Sequence, residues 1–326
     1  MKELTVISGK GGTGKTSVTA SLATLAPNRI VIDADVDAAN LFLTLEHEVL
    51  EKESFEGGHK AMIDEALCTR CGECLERCQF DAVSEVPDNH DAVSNISGEA
   101  DTASKGSGTV HTVSDKSGKF VIDPVSCEGC GVCVHFCPAD AISFERQICG
   151  EKYISKTANG PMIHARLGIA EENSGLLVSQ LRQKAKEMAI KEKIPMIITD
   201  GPPGIGCPVI ASVSNADAVL IVTEPTQSGM HDMARVKKLA DQMNAAVYLC
   251  VNKADLNPEA TDEIKKFCHE NGISFAGEIP FDRDVIESMK AGKSLVTFSQ
   301  GPASVAVKNV WQNVLSFMEK RMDRLT

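Results

Sequence analysis

Short apolar runs alternate with segments of helical pattern along most of the chain. The strand-like runs lie at 4–7, 29–32, 196–199, 218–222 and 246–251. The helical segments lie at about 14–25, 174–191, 230–243 and 258–271. Continuous apolar runs of this length are typical of strands buried on both faces. Because helices separate them, the pattern predicts an α/β fold with a doubly wound parallel sheet.

The pattern changes between about residues 61 and 145. Two cysteine-rich segments, 68–78 and 127–137, resemble each other and form an internal repeat. The stretch 84–119 between them is rich in Ser, Asp, Gly and Thr, and so predicts an exposed, partly disordered loop. We therefore predict one α/β domain, made of 1–60 and 146–326, into which a small α+β domain at 61–145 is inserted.

The last segment, 303–325, has the spacing of an amphipathic helix. Its apolar positions are Val307, Val310, Trp311, Val314, Phe317 and Met318. A helix that covers the core is the preferred interpretation. A membrane-binding helix is the alternative.

Composition narrows the function classes. The net charge of −12, with no basic run, argues against a nucleic-acid partner. No apolar run approaches the ~18 residues that span a bilayer, and residues 1–9 lack a signal-peptide pattern, so membrane attachment is not expected. We therefore expect a cytoplasmic protein. Because the cytoplasm is reducing, the 12 cysteines are expected to bind metal rather than to form disulfides.

A phosphate-binding loop lies between the first strand and the first helix. Residues 9–16, Gly-Lys-Gly-Gly-Thr-Gly-Lys-Thr, match G-x-x-x-x-G-K-[ST]. Successive backbone N–H groups of such a loop bind phosphate oxygens, aided by the N-terminus of the following helix. Lys15 should reach the β- and γ-phosphates, and Thr16 should bind Mg²⁺. The candidate nucleotide-binding residues here are Gly9, Lys10, Gly11, Gly12, Thr13, Gly14, Lys15, Thr16 and Ser17.

Carboxylates follow two of the predicted strands. Asp33, Asp35 and Asp37 come directly after the second strand, and Asp200 ends the strand at 196–199. The last is a Walker B arrangement, with Asp200 near Mg²⁺ through water. Any one of these residues could instead cap a helix.

The two cysteine-rich segments match the bacterial ferredoxin run of cysteines, C-x2-C-x2-C-x3-C. In two-cluster ferredoxins the fourth cysteine of each run binds the other cluster. We therefore predict two [4Fe–4S] clusters. One is assigned to Cys68, Cys71, Cys74 and Cys137, and the other to Cys127, Cys130, Cys133 and Cys78. Zinc is the alternative, although it prefers ligands in two pairs.

The second run departs less from the ferredoxin pattern than the first. Pro138 follows Cys137, whereas Gln79 replaces the usual proline after Cys78. Among the other cysteines, Cys250 lies in an apolar strand and Cys268 on a helix, and both side chains are predicted to be buried without a metal or redox role. Cys207 and, more weakly, Cys149 are candidates for a metal or redox role.

Together these residues resemble the deviant Walker A ATPases of the MinD/ParA superfamily, in the form that contains an inserted 2[4Fe–4S] ferredoxin domain. The resemblance begins with Lys10, the additional lysine directly after the first glycine of the loop, which is typical of the deviant Walker A group. Further similar segments are 160–165, 171–175, 200–208, 223–226 and 278–282.

The resemblance implies roles for individual residues. Lys10 would reach the phosphates of a partner subunit in an ATP-dependent homodimer, which makes Lys10, Lys15 and Asp35 the catalytic candidates. Asp33 would act on the Mg²⁺ shell together with Thr16 and Asp200, and Asp35 would orient the attacking water.

The same resemblance concerns the second switch and the base. Residues 201–206 would form the second switch, and Cys207 has the offset from Asp200 of a cluster-binding cysteine in the nitrogenase iron protein. Asn252 would contact adenine. The run Asn252-Lys253-Ala254-Asp255 also matches the N-K-x-D pattern that many GTPases use, so GTP remains the alternative to ATP. His164 and Glu224 are further candidates.

Three functions fit this resemblance. The first is an ATPase that couples dimer switching to electron transfer, with an unidentified redox partner or acceptor protein. The second is iron–sulfur cluster assembly or delivery. The third is a MinD-like positioning ATPase.

Overall fold

The computed structural model describes residues 1–87, 118–168 and 174–322. The strands are β1 (Lys2–Ser8), β2 (Arg29–Asp33), β3 (His47–Ile63), β4 (Val83–Pro87), β5 (Gly118–Ile122), β6 (Ile142–Thr157), β7 (Gly160–Leu167), β8 (Met196–Pro203), β9 (Ala218–Thr223), β10 (Ala246–Asn252) and β11 (Ser274–Ile279). The helices are α1 (Lys15–Leu25), α2 (Glu73–Arg77), α3 (Val132–His135), α4 (Ser174–Glu192), α5 (Cys207–Val213), α6 (Gln227–Gln242), α7 (Pro258–Glu270), α8 (Asp284–Lys290), α9 (Leu295–Phe298) and α10 (Pro302–Met322). Short 3₁₀ helices cover Leu41–Leu43 and Ala254–Leu256.

The chain forms two compact units. The larger unit contains 1–57 and 148–326, and the smaller unit contains 58–147. The chain enters the smaller unit from β3 and leaves it in β6.

Nine strands form one sheet in the order β11-β10-β9-β1-β8-β2-β7-β6-β3. The neighbours from β11 to β7 pair in parallel. By contrast, β6 pairs antiparallel with β7, from Gly150 opposite Leu167 to Thr157 opposite Gly160. The predicted α/β fold is confirmed, but the sheet is mostly rather than entirely parallel.

Successive residues of the central strands face opposite sides of the sheet. Leu220 and Val222 of β9 pack with α1, α9 and α10, whereas Val219 and Ile221 pack with α5, α6 and α7. Helices therefore cover both faces of these strands. This placement explains why each strand appears in the sequence as a continuous apolar run.

The apolar stripe of the last helix faces the core. Val307, Val310, Val314 and Met318 of α10 are buried in the same core cluster as β1 and β9. The interpretation of this segment as a helix that covers the core is thus confirmed. Among the described helices, none combines the length and hydropathy that crossing a bilayer requires.

The smaller unit contains an antiparallel pair of strands and two short helices. Strands β4 and β5 pair from Val83 opposite Ile122 to Pro87 opposite Gly118. The ends of the predicted loop, 84–87 and 118–119, therefore belong to strands, and the rest of it, 88–117, lies outside the described residues. Residues 171–173 of the segment 171–175 also lie outside them.

Candidate functional site

The predicted phosphate loop lies where β1 ends and α1 begins. Gly14 has φ of +84° at the N-cap of α1, and a Cβ there would lie 2.3 Å from Nδ2 of Asn252. Only glycine fits this position without strain. The loop borders a cavity of about 430 Å³, whose lining includes residues 11–17, Asp35, Asn40, Asn252, Lys253, 280–282, Ile286 and Met289.

Lys15 lies buried between two carboxylates. Its Nζ is 3.1 Å from Oδ1 of Asp200 and 3.4 Å from Oδ2 of Asp35. Burial by itself would lower the pKa of Lys15, but attraction by the two carboxylates outweighs it, so the pKa is raised. Lys15 is therefore held as a cation at the cavity wall.

Asp33 organises the backbone that follows β2. One of its carboxylate oxygens accepts the N–H groups of Asn40 at 3.1 Å and Leu41 at 2.9 Å, and the other accepts the N–H of Asp35 at 3.3 Å. Full burial and the nearby Asp200 raise the pKa of Asp33 well above its usual range. A bound cation would favour its ionised form.

Asp200 binds two threonine hydroxyls of α1 and is itself fully buried. Thr16 Oγ1 donates to Oδ2 at 2.7 Å, and Thr19 Oγ1 donates to Oδ1 at 2.9 Å. The structure thus brings Lys15, Thr16, Asp35 and Asp200 together. Thr19 was not a sequence candidate, although its position one helical turn after Lys15 places it on the same face of α1.

Two polar atoms at this cavity are buried without a hydrogen-bond partner among the described residues. They are Oγ1 of Thr13 and Oδ1 of Asn40, and both residues line the cavity. Buried polar atoms are normally paired. These two atoms, the loop and the carboxylates suit a phosphorylated ligand with a divalent cation.

Asn252 and Asp255 contact backbone groups. Asn252 Nδ2 donates to the carbonyl oxygen of Thr13 at 2.8 Å, which ties the end of β10 to the loop. Asp255 Oδ1 accepts the N–H of Phe281 at 2.6 Å. Asp255 lines a separate depression with Thr261 and Lys265.

The second lysine of the loop extends toward α6. Lys10 Nζ lies 3.4 Å from Oε2 of Glu224, and Glu224 also binds Lys253 Nζ at 2.6 Å. Ser17 donates to Sδ of Met289 at 3.5 Å. Residues 11–17 of the loop therefore line the cavity, whereas Gly9 and Lys10 are not among its lining residues.

The eight predicted cluster ligands line two cavities in the smaller unit. The first cavity is lined by Cys68, Cys71, Cys74 and Cys137. The second is lined by Cys78, Cys127, Cys130 and Cys133. Each cavity thus contains three cysteines of one run and the fourth of the other, which is the donor set that a [4Fe–4S] cluster requires.

Two further observations concern metal binding in the part of the chain that the structure describes. No three His, Cys, Asp or Glu side chains there form a group that could hold a single metal ion. Burial, together with the neighbouring Cys68 and Cys71, raises the pKa of the Cys74 thiol to about 11, and burial also raises that of Cys133.

The remaining cysteines differ in exposure. Cys149, Cys250 and Cys268 are buried, as predicted for the last two. Cys207 is exposed at the start of α5. Gly175 of α4 lies close to it, since a Cβ added to Gly175 would be 3.3 Å from the Cβ of Cys207.

His164 forms part of an aromatic stack that the sequence did not predict. Its ring lies between those of Phe42 and Tyr153, with centroids 5.7 and 4.9 Å away. Its Nε2 is 3.0 Å from Oγ of Ser155. Burial, then the nearby His47 and Arg166, lower the pKa of His164 to about 4.

Residues 4–296 match the family described as the CobQ/CobB/MinD/ParA nucleotide binding domain. The chain belongs to this family. An uncharacterized protein of Methanocaldococcus jannaschii is 32% identical over 97% of both chains. The iron–sulfur cluster carrier protein of Pyrococcus abyssi is 26% identical over 39% of this chain and 47% of its own length.

Solved structures of MinD proteins share the fold. The MinC:MinD cell division protein complex of Aquifex aeolicus has a TM-score of 0.54 at 17% identity, covering 97% of this chain and 96% of that one. The septum site-determining protein MinD of Pyrococcus horikoshii, complexed with Mg-ADP, has a TM-score of 0.54 at 15% identity, covering 96% of this chain and 95% of that one.

Proposed function

We propose that the chain is an ATPase of this family that dimerises on ATP and couples hydrolysis to electron transfer through two [4Fe–4S] clusters. The observation that carries the proposal is the pair of four-cysteine cavities in the same chain as the phosphate loop. Two separate chemistries thus share one polypeptide.

In the nucleotide site, Lys15 exchanges its contacts with Asp35 and Asp200 for the β- and γ-phosphates. Thr16, Asp33 and Asp200 would hold Mg²⁺, which neutralises developing phosphate charge. Once Lys15 has moved, Asp35 is free to orient the attacking water. Lys10 reaches the phosphates of the partner subunit, which makes the homodimer dependent on ATP.

The position of Asp255 favours ATP over GTP. A guanine-reading aspartate must present its carboxylate to the base. Asp255 instead binds the N–H of Phe281 and lines a different depression. Asp255 is not among the residues that line the nucleotide cavity. Beyond the loop, this cavity is lined by Lys253, Phe281, Ile286 and Met289.

The eight cysteines would hold the clusters, which supply one-electron chemistry when bound. The proposed coupling begins in the larger unit at Asp33, whose carboxylate accepts the N–H of Leu41. The next residue, Phe42, stacks on His164 of β7, and β7 pairs with β6, the strand that leaves the smaller unit. If Asp33 turned to hold Mg²⁺, the segment at Leu41 and Phe42 would be released, and the change would reach β7 and β6 through this packing.

The test uses protein purified without oxygen. We expect about eight irons and eight acid-labile sulfides per chain. Dithionite-reduced protein should be oxidised by an artificial acceptor at a rate that changes at least threefold between ATP and ADP. The same rate with both nucleotides would contradict coupling, and a lack of iron would contradict the clusters.

Cluster delivery is the second candidate, favoured by the likeness to iron–sulfur cluster carrier proteins and by the exposed Cys207. It predicts ATP-dependent transfer of iron and sulfide to an apo-ferredoxin, lost in Cys207→Ser. Under the first proposal the iron stays with the chain and Cys207→Ser has no effect on it.

A further inference from the structure

The loop lysine Lys10 is held on its own subunit by the segment that precedes α6. Its Nζ lies 3.4 Å from Oε2 of Glu224, 3.4 Å from Oγ1 of Thr226 and 3.2 Å from Oγ of Ser228. The backbone brings it there, because a Cβ on the preceding Gly9 would lie 2.2 Å from Cβ of Asp232 on α6. This glycine allows the loop to pack directly on the helix.

The helix by itself does not favour an ammonium at this place. Thr226 caps the N-terminus of α6 by accepting the N–H of Gly229 at 3.0 Å. A helix N-terminus carries partial positive charge, so it repels a cation. Glu224 is the carboxylate that offsets this repulsion.

Glu224 also connects Lys10 to the nucleotide cavity. Its other oxygen, Oε1, binds Lys253 at 2.6 Å, and Lys253 lines the cavity. Lys253 has φ of +57°, a strained backbone conformation for this residue type that its surroundings maintain. Glu224 is only 16% exposed, so solvent screens its two ion pairs less than those of a free surface.

From this geometry we propose that Glu224 is a latch that keeps Lys10 on its own subunit and so opposes dimerisation until ATP is bound. The inference rests on the proposed function, in which Lys10 acts on the partner. To act there, Lys10 must leave Glu224, Thr226 and Ser228. Glu224 then retains Lys253 as its partner and is not left uncompensated.

The test measures dimer dissociation by analytical ultracentrifugation of the full chain with the non-hydrolysable analogue AMP-PNP. Glu224→Gln removes the charge and preserves the shape. We expect the dimer of this variant to dissociate about three- to tenfold less readily than that of the wild type. Ser228→Ala removes one weaker contact of Lys10 and should change dissociation in the same direction, by less.

Two controls accompany these variants. Asp241→Asn removes a carboxylate from the far end of the same helix, where it binds Lys237, and should leave dimerisation unchanged. Binding of AMP-PNP to monomers at low protein concentration, measured by calorimetry, shows whether Glu224→Gln alters the nucleotide site itself. Lys10→Ala combined with Glu224→Gln should abolish the gain.

The outcomes separate the two ideas. If the wild type dimerises with AMP-PNP and Glu224→Gln dimerises equally or less well, the latch is overturned and the proposed function stands. If the wild type binds AMP-PNP and stays monomeric at every concentration, the latch and the dimerising function are both overturned. Should Glu224→Gln fail to fold, an unchanged dissociation constant in Ser228→Ala overturns the latch.

Discussion

Single side chains shape the nucleotide cavity through the backbone atoms they bind. The side-chain amide of Asn252 is an example, since it binds the carbonyl oxygen of Thr13 and is almost fully buried. The sequence suggested contact with adenine for this residue. Its bond to the loop adds a second role, which is to fix the loop that binds phosphate.

We predict that Asn252→Ala weakens AMP-PNP binding about three- to tenfold, because a lost buried hydrogen bond costs about 0.5–1.5 kcal/mol. Calorimetric titration measures this. The matched control is Asn313→Ala on α10. The side-chain amide of Asn313 also donates to a backbone carbonyl, that of Ala276 at 2.9 Å, but lies away from the loop. Equal affinities for wild type and Asn252→Ala would refute the role.

His164 gives the fold a predictable response to acid. Burial lowers its pKa to about 4 from an ordinary value of 6.5, so the unfolded chain binds a proton between these pH values and the folded chain does not. The free energy of unfolding should therefore fall as the pH falls from about 6.5 to about 4. The contribution is at most about 3 kcal/mol, and less after solvent screening.

Urea unfolding at pH 7 and pH 5 measures this response. His164→Phe keeps an aromatic ring between Phe42 and Tyr153 and should show a smaller loss of stability between the two pH values. His231→Gln serves as the control because the His231 side chain is 74% exposed. Equal losses in His164→Phe and wild type would contradict the prediction.

At the scale of elements, α10 stabilises the larger unit through one face only. Val314 is fully buried against the sheet, whereas Val305 on the same helix is 48% exposed. We predict that Val314→Ala lowers the free energy of unfolding by about 2 kcal/mol through the cavity it leaves. Val305→Ala is the matched control and should change it by less than about 0.5 kcal/mol. Similar losses in both variants would argue against the packing of α10 on the core.

The central strands could be predicted from the sequence because a strand that is buried on both faces has a continuous apolar run. Strands β1, β2, β8, β9 and β10 appear as short apolar runs, and α1, α4, α6 and α7 begin and end within about three residues of the predicted positions, whereas the short helix α5 was not predicted. By contrast, β3 could not be predicted. Six of its 17 residues are Glu or Lys and more than half of its side chains are exposed, so it has no apolar periodicity.

The candidate site divides in the same way. Lys15, Thr16, Asp35 and Asp200 could be predicted to meet because a loop motif and strand ends mark them in the sequence. The contacts of Glu224 with Lys10 and Lys253 depend on how α6 packs beside the loop, which no local pattern encodes. The aromatic stack of His164 likewise joins residues from three separate segments, which are β6, β7 and the 3₁₀ helix Leu41–Leu43.

At the scale of the whole molecule, each cysteine cavity draws on both halves of the repeat. Cys78 follows α2 but lines the cavity of Cys127, Cys130 and Cys133, and Cys137 lines the other. If each cavity holds one [4Fe–4S] cluster, removal of a fourth cysteine should damage the cluster of the opposite run.

This arrangement predicts which alanine variants resemble each other. Cys78→Ala should match Cys127→Ala, and Cys137→Ala should match Cys68→Ala, because the members of each pair affect one cluster. In each variant, iron should fall from about eight toward about four per chain, or one cluster should convert to a three-iron form. Electron paramagnetic resonance of oxygen-free protein, before and after reduction, measures which of the two signals persists.

The comparison of these variants also distinguishes crossed ligation, in which each fourth cysteine binds the cluster of the other run, from ligation of each cluster by one run alone. If each run bound its own cluster, Cys78→Ala would instead resemble Cys68→Ala, and Cys137→Ala would resemble Cys127→Ala. Cys268→Ala serves as the control, because this buried cysteine of α7 packs in the larger unit and should leave both signals intact. Since each fourth cysteine serves the opposite run, neither half of the repeat has a complete ligand set by itself. Replacing Cys78 and Cys137 together should therefore damage both clusters in one chain, each by loss of iron or by conversion to a three-iron form, and both signals should change.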